Sequence, residues 1–200
     1  MPIYILAAAL AAIAGFAVFS LVGGPDAGKS VPIVAAGDAS ADAGRPSGLG
    51  KLVRVTPPAA LPEIAFADGE GRDRKLGEWQ GKVVLVNLWA TWCAPCKLEM
   101  PSLDRLQAKL GGADFAVLPI SLDRTGPDKP RQFLTSNGLK NLGLFLDRGN
   151  SLMQPLRVPG LPLTVLIDRQ GREIARLAGP AEWDSPEAES LIRAAIAGGG

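Results

Sequence analysis

Histidine is missing from all 200 residues. That absence removes histidine-based metal sites, the Ser-His-Asp arrangement and any Cys-His protease pair together. Cysteine is almost missing too, with two in the whole chain. Two thiols cannot close a four-thiolate zinc centre and are too few for a disulfide scaffold, so the core must come from ordinary packing. Neither sign of charge predominates, with 21 Lys and Arg against 20 Asp and Glu. A nucleic-acid partner calls for a basic footprint, and the chain has none.

The two cysteines that are present stand close together, in Trp92-Cys93-Ala94-Pro95-Cys96. The pentapeptide follows an apolar run, Val83 to Trp89, and precedes a stretch of helical periodicity with Leu98, Leu103, Leu106 and Leu110 on it. A C-x-x-C pair at a strand-to-helix junction points to reversible dithiol–disulfide chemistry. Unsatisfied N–H groups and the macrodipole at a helix start favour negative charge. Cys93 is therefore expected to be the attacking, solvent-facing thiolate, and Cys96, one turn in, the sheltered resolving thiol. A static disulfide is the plainer alternative, but so small a ring contributes little loop-closure entropy.

Glu99 lies three residues after Cys96, on the same helix face. It is either a partly sheltered carboxylate that takes the Cys96 proton or a solvated surface side chain. Trp92 is either an apolar docking surface for a partner or ordinary packing, whereas Trp89 belongs to the core. Further on, Leu161-Pro162 introduces a strand, and a cis bond there would leave the Leu161 backbone free to pair with an extended substrate.

Residues Ile3 to Val22 carry no charged side chain and at helical rise span roughly 30 Å, a bilayer core. A membrane anchor over residues 1–22 is expected, in preference to a cleaved signal peptide. No Lys or Arg precedes the segment, and the nearest Ala-x-Ala, Ala39-Ser40-Ala41, lies far beyond its end. Residues 23–58 are rich in Gly, Ala, Pro, Ser and Asp and read as a flexible tether. Within it, Gly23 to Ser30 matches the phosphate-loop pattern letter for letter. The strand before and helix after that such a loop needs are missing, so no nucleotide is expected.

Residues 59–200 read as one α/β domain. An opening hairpin spans Leu61 to Lys75, with a turn at Asp68-Gly69-Glu70-Gly71. Strands follow at Val83–Trp89 and Phe115–Ile120, with helices over Ala94–Leu110, kinked by Pro101, and Asp128–Asn137. A short strand at Leu144–Leu146 and a short helix at Ser151–Leu156 come next. A hairpin of Leu163–Ile167 with Glu173–Leu177 and a closing helix, Pro186–Ala197, complete it. The alternation indicates a mixed central sheet with helices on both faces.

These residues resemble a thioredoxin-fold protein, specifically the membrane-anchored TlpA type of thiol:disulfide interchange protein, related to the reductases of cytochrome c maturation. The resemblance covers roughly Leu61 to Ala197 and rests on Val86 to Pro101, on Gly160-Leu161-Pro162-Leu163-Thr164 and on Ala178 to Trp183. It implies a thioredoxin-like fold with an N-terminal β-hairpin extension and an insertion partly within Asp123–Arg148. It implies Cys93 as nucleophile, Cys96 as resolving thiol, Pro162 as the cis proline and Glu99 as the acidic residue beside them. Trp92, Ala94, Pro95, Leu161 and Pro162 become the expected substrate surface, and no cofactor or metal is implied.

Relatives of this type sit on the outer face of the bacterial inner membrane, so the domain is expected in the periplasm. Its partners would be disulfide-bearing cytochrome or cytochrome oxidase assembly proteins, with electrons from a membrane thiol carrier. Asn87 stands where plain thioredoxins carry a buried aspartate, which leaves proton handling to Glu99 or water. Three other readings remain. A dithiol oxidase needs a strongly stabilised thiolate that no histidine here supplies. A Cu(I) metallochaperone recruits a histidine that is also missing. A peroxidase wants its two thiols further apart.

Overall fold

The structure, a computed structural model, describes residues 48–198. The expected anchor (1–22), most of the expected tether and the phosphate-loop match lie outside them. No helix among the described residues is long and apolar enough to cross a membrane.

Eight strands form one mixed sheet: β1 Val53–Ala60, β2 Ala65–Asp68, β3 Asp73–Lys75, β4 Val83–Trp89, β5 Phe115–Ser121, β6 Phe145–Leu146, β7 Leu163–Ile167 and β8 Arg172–Ala178. Their order is β1-β8-β7-β4-β5-β6-β2-β3, with β4, β5 and β6 parallel and the other pairs antiparallel. Every residue of β4 is buried, because a central strand covered on both faces has no polar side to show. β8 alternates buried and part-exposed residues along most of its length.

Three helices pack on the sheet: α1 Ala94–Leu110, α2 Asp128–Ser136 and α3 Pro186–Ala197. α3 begins where expected, with Ser185 Oγ accepting from the Ala188 N–H at 3.3 Å and Pro186 in the first turn. α1 runs through Pro101 without a break. The core has two parts. Val83 and Leu85 of β4 join Met100, Leu103 and Leu106 of α1, Leu134 of α2 and Leu191 and Ile192 of α3. Val84, Val86 and Leu88 join Ile64, Phe66, Leu76, Leu152 and Leu156.

The mixed sheet with helices is as expected, but its coverage differs. The helix residues that enter the hydrophobic core, such as Met100, Leu134 and Ile192, all fall in its first part. The other part is closed by a 3₁₀ turn, Leu76–Trp79, and by turns over residues 151–157 where a helix was expected. Asp147 explains the second: its carboxylate accepts from the Ser151 N–H and Oγ and from the Leu152 N–H at 2.8–3.0 Å. Pro155 then has no N–H with which to extend a helix.

The sheet also begins earlier than expected. Residues 53–58, read as tether, belong to β1, which pairs with β8 through Val53, Arg54, Ala59 and Ala60. Pairing is irregular between Arg54 and Ala59, the stretch that holds Pro57 and Pro58. The opening hairpin is shorter than expected, since Leu61 to Ile64 lie outside β2. Its turn and the β7–β8 turn share one construction. Asp68 Oδ1 accepts from the N–H groups of Glu70 and Arg72, and Asp168 Oδ1 from those of Gln170 and Arg172. In each, the arginine Nε donates to the other carboxylate oxygen at 2.8 Å.

Candidate dithiol site

β4 ends at Trp89, and the chain turns through Ala90, Thr91 and Trp92 into α1. Asp123, just beyond β5, holds that turn: it accepts from the Thr91 N–H at 2.9 Å, from Thr91 Oγ1 at 2.6 Å and from Ser121 Oγ at 2.8 Å. The Cys93 N–H donates to the Ala90 carbonyl at 3.1 Å, completing the turn. Cys93 then occupies the N-cap of α1 in extended backbone, and its sulfur accepts from the Cys96 N–H at 3.3 Å. The two cysteines form a disulfide with Cα atoms 5.3 Å apart.

Cys96 is fully buried, as expected, but Cys93 is only 6% exposed rather than openly facing solvent. Its sulfur is turned toward the helix start and bonded to Cys96. The exposed surface there belongs to Trp92, Ala94 and Pro95 instead. Trp92 is 69% exposed, which rules out ordinary packing for it, whereas Trp89 lies in the core beside Phe133.

Pro162 follows a cis peptide bond from Leu161. Pairing of Leu88 with Leu163 and of Asn87 with Thr164 brings that loop to the end of β4 from which the cysteine turn departs. Pro162 is buried and Leu161 half-buried, and the Pro162 carbonyl accepts from the Gly179 N–H at 2.9 Å. The fold thus brings the cysteine turn and the Leu161–Pro162 loop to the same end of adjacent strands.

Glu99 is wholly buried and shares a face of α1 with Cys96. Asn87 Nδ2 donates to its Oε1 at 2.8 Å, and the Ala181 N–H and Trp183 Nε1 each donate to its Oε2 at 3.1 Å. Burial raises its pKa, the three donors lower it, and burial prevails, leaving it at about 7. The surface alternative is thereby excluded. Asn87 Nδ2 also donates to Thr164 Oγ1 at 2.9 Å, tying β4, β7 and α1 together. Sequence reasoning missed Asp123 and the Ala181–Trp183 donors, which meet their partners only through long-range folding. A carboxylate directly after a strand of the same sheet was the one available signal for Asp123.

The Redoxin family pattern matches residues 57–192. HelX of Rhodobacter capsulatus, a thiol:disulfide interchange protein, is 37% identical over 132 residues, which are 66% of this chain and 67% of that protein. ResA of Bacillus thuringiensis, a thiol-disulfide oxidoreductase, is 30% identical over 118 residues, 59% of this chain and 67% of its own length. Among solved structures, a protein of Chlorobium tepidum assigned as thiol:disulfide interchange protein DsbE superposes with a TM-score of 0.62 at 28% identity, covering 70% of this chain and 96% of that one. Bearing a C-x-x-C disulfide at the head of α1 in this fold, the chain belongs to the Redoxin family and is a thiol-disulfide oxidoreductase.

Proposed function

We propose that the chain is a protein-disulfide reductase, anchored by residues 1–22 to the bacterial inner membrane and acting in the periplasm on specific partners. The observation that carries the redox reading is the Cys93–Cys96 pair itself, one sulfur at the N-cap of α1 and the other fully buried a turn later. The membrane and periplasmic parts rest on the uncharged segment Ile3–Val22 and on the resemblance to the TlpA type. Cytochrome c or cytochrome oxidase assembly proteins as substrates rest on that resemblance too.

In the reduced chain the Cys93 thiolate attacks one sulfur of the partner's disulfide. That S–S bond breaks, a Cys93–partner mixed disulfide forms, and the partner's other sulfur leaves as a thiolate and takes a proton. Cys96 then attacks the Cys93 sulfur and expels the remaining partner thiolate. Two electrons have passed to the partner, and the chain is left as the disulfide. Glu99, held at about 7, takes the Cys96 proton before the second attack. A thiol carrier in the membrane returns the two electrons.

The test is trapping. Cys96→Ser in the full chain, reduced and exposed to membrane and periplasmic extract, is expected to accumulate mixed disulfides through Cys93, absent from the Cys93→Ser/Cys96→Ser double variant. Equal yields from both variants would overturn the reading.

A further inference from the structure

We infer that the partner presents acidic residues beside its reacting cysteine, and that these seat in a cleft between Trp92 and the loop after β5. The inference rests on the reductase reading and names the chemistry of its substrate. The cleft holds about 470 Å³, with the exposed Trp92 as one wall and Leu122, Arg124 and Lys129 among the others. Neither cysteine lines the cleft, but Trp92, which does, directly precedes the attacking cysteine, so an occupant resting on Trp92 is one residue from the dithiol.

The charges carry the argument. Arg124 and Lys129 are exposed and make no ion pair or side-chain hydrogen bond among the described residues. Other exposed cations, Lys97 and Lys140 among them, are unpaired as well, but Arg124 and Lys129 are the two that line the cleft beside Trp92. The one carboxylate lining the cleft, Asp123, is 4% exposed and already accepts from Thr91 and Ser121. Asp128 is exposed at the start of α2 but does not line the cleft. Two cations thus face outward against one buried, occupied anion.

An indole beside them offers a flat apolar platform with a polar edge, suited to a peptide backbone and side chains rather than to a bare anion. A polypeptide whose cysteine reaches Cys93 can lie against the exposed face of Trp92. Asp or Glu a few residues from that cysteine then meets the two unpaired cations, which steer its approach and fix its orientation.

The experiment uses the reduced full-length chain and three synthetic peptides of equal length. Each carries one internal disulfide, flanked by Asp and Glu, by Asn and Gln, or by Lys. Stopped-flow tryptophan fluorescence follows oxidation of the protein at low ionic strength. The acidic peptide is expected to react roughly three- to tenfold faster than the neutral one, and the Lys peptide slowest. The ratio should shrink as salt is added. Arg124→Glu/Lys129→Glu should invert the order, and Arg124→Gln/Lys129→Gln, which burdens folding less, should flatten it.

Equal rates for the three peptides, or an unchanged order in both variants, would overturn the docking inference while reduction of the neutral peptide left the reductase reading standing. Reduction of none would remove the reductase reading and the inference with it. A dimer of this chain that the Glu variant dissolves, with no peptide preference in the monomer, would assign the cleft to a second copy and likewise overturn it.

Discussion

Burial and hydrogen bonding pull in opposite directions on the Glu99 carboxyl. Taking it out of water disfavours its charge, while Asn87, Ala181 and Trp183 all point donors at it. The outcome near 7, against an ordinary value of 4.5, means that the folded chain holds this proton more tightly than the unfolded one. Stability from this group is therefore greatest below about pH 4.5 and is lost as pH rises toward about 7. The full loss is on the order of 3 kcal/mol. Glu99→Gln cannot titrate, so its urea midpoint in the oxidised state should gain on the wild type across that window. Parallel pH curves for the two proteins would show that Glu99 ionises normally. At this scale the sequence supplied the helical spacing from Cys96. It could not supply burial, because the two donors to Oε2 come from 82 and 84 residues away.

Among elements, the turn that delivers Cys93 depends on Asp123 at the end of the neighbouring strand. Asp123→Ala would leave the Thr91 N–H, Thr91 Oγ1 and Ser121 Oγ without their acceptor. A cost of roughly 2–4 kcal/mol is expected for the orphaned groups, read as a lower urea midpoint, with faster iodoacetamide labelling of Cys93 in the reduced chain as the turn loosens. Asp123→Asn keeps one acceptor oxygen and should recover much of both effects. Equal stability of wild type and the alanine variant would show that the turn holds without this clamp. The buried strands and the long helices were legible, since their apolar periods are unbroken and their ends carry Pro, Ser or Gly signals. β1 was not, because its prolines and mostly exposed side chains read as tether and its pairing with β8 is made chiefly at its ends. The segment after Asp147 has helical spacing, but a side-chain staple and Pro155 hold it in turns.

For the whole molecule, one sheet brings the Cys93 turn, the Pro162 loop and the Asp123 clamp to a common end, though the sequence spreads them over 70 residues. In the disulfide the Cys93 sulfur accepts one N–H, from Cys96, and the chain contains no histidine to place a positive charge beside it. A dithiol of that kind should give electrons rather than take them. The most direct measurement is the equilibrium reduction potential of Cys93–Cys96 in thiol–disulfide buffers of defined ratio. A value below about −200 mV is expected, in the range of dithiol reductants, whereas a value near about −120 mV, where strong dithiol oxidants lie, would contradict the reductase assignment.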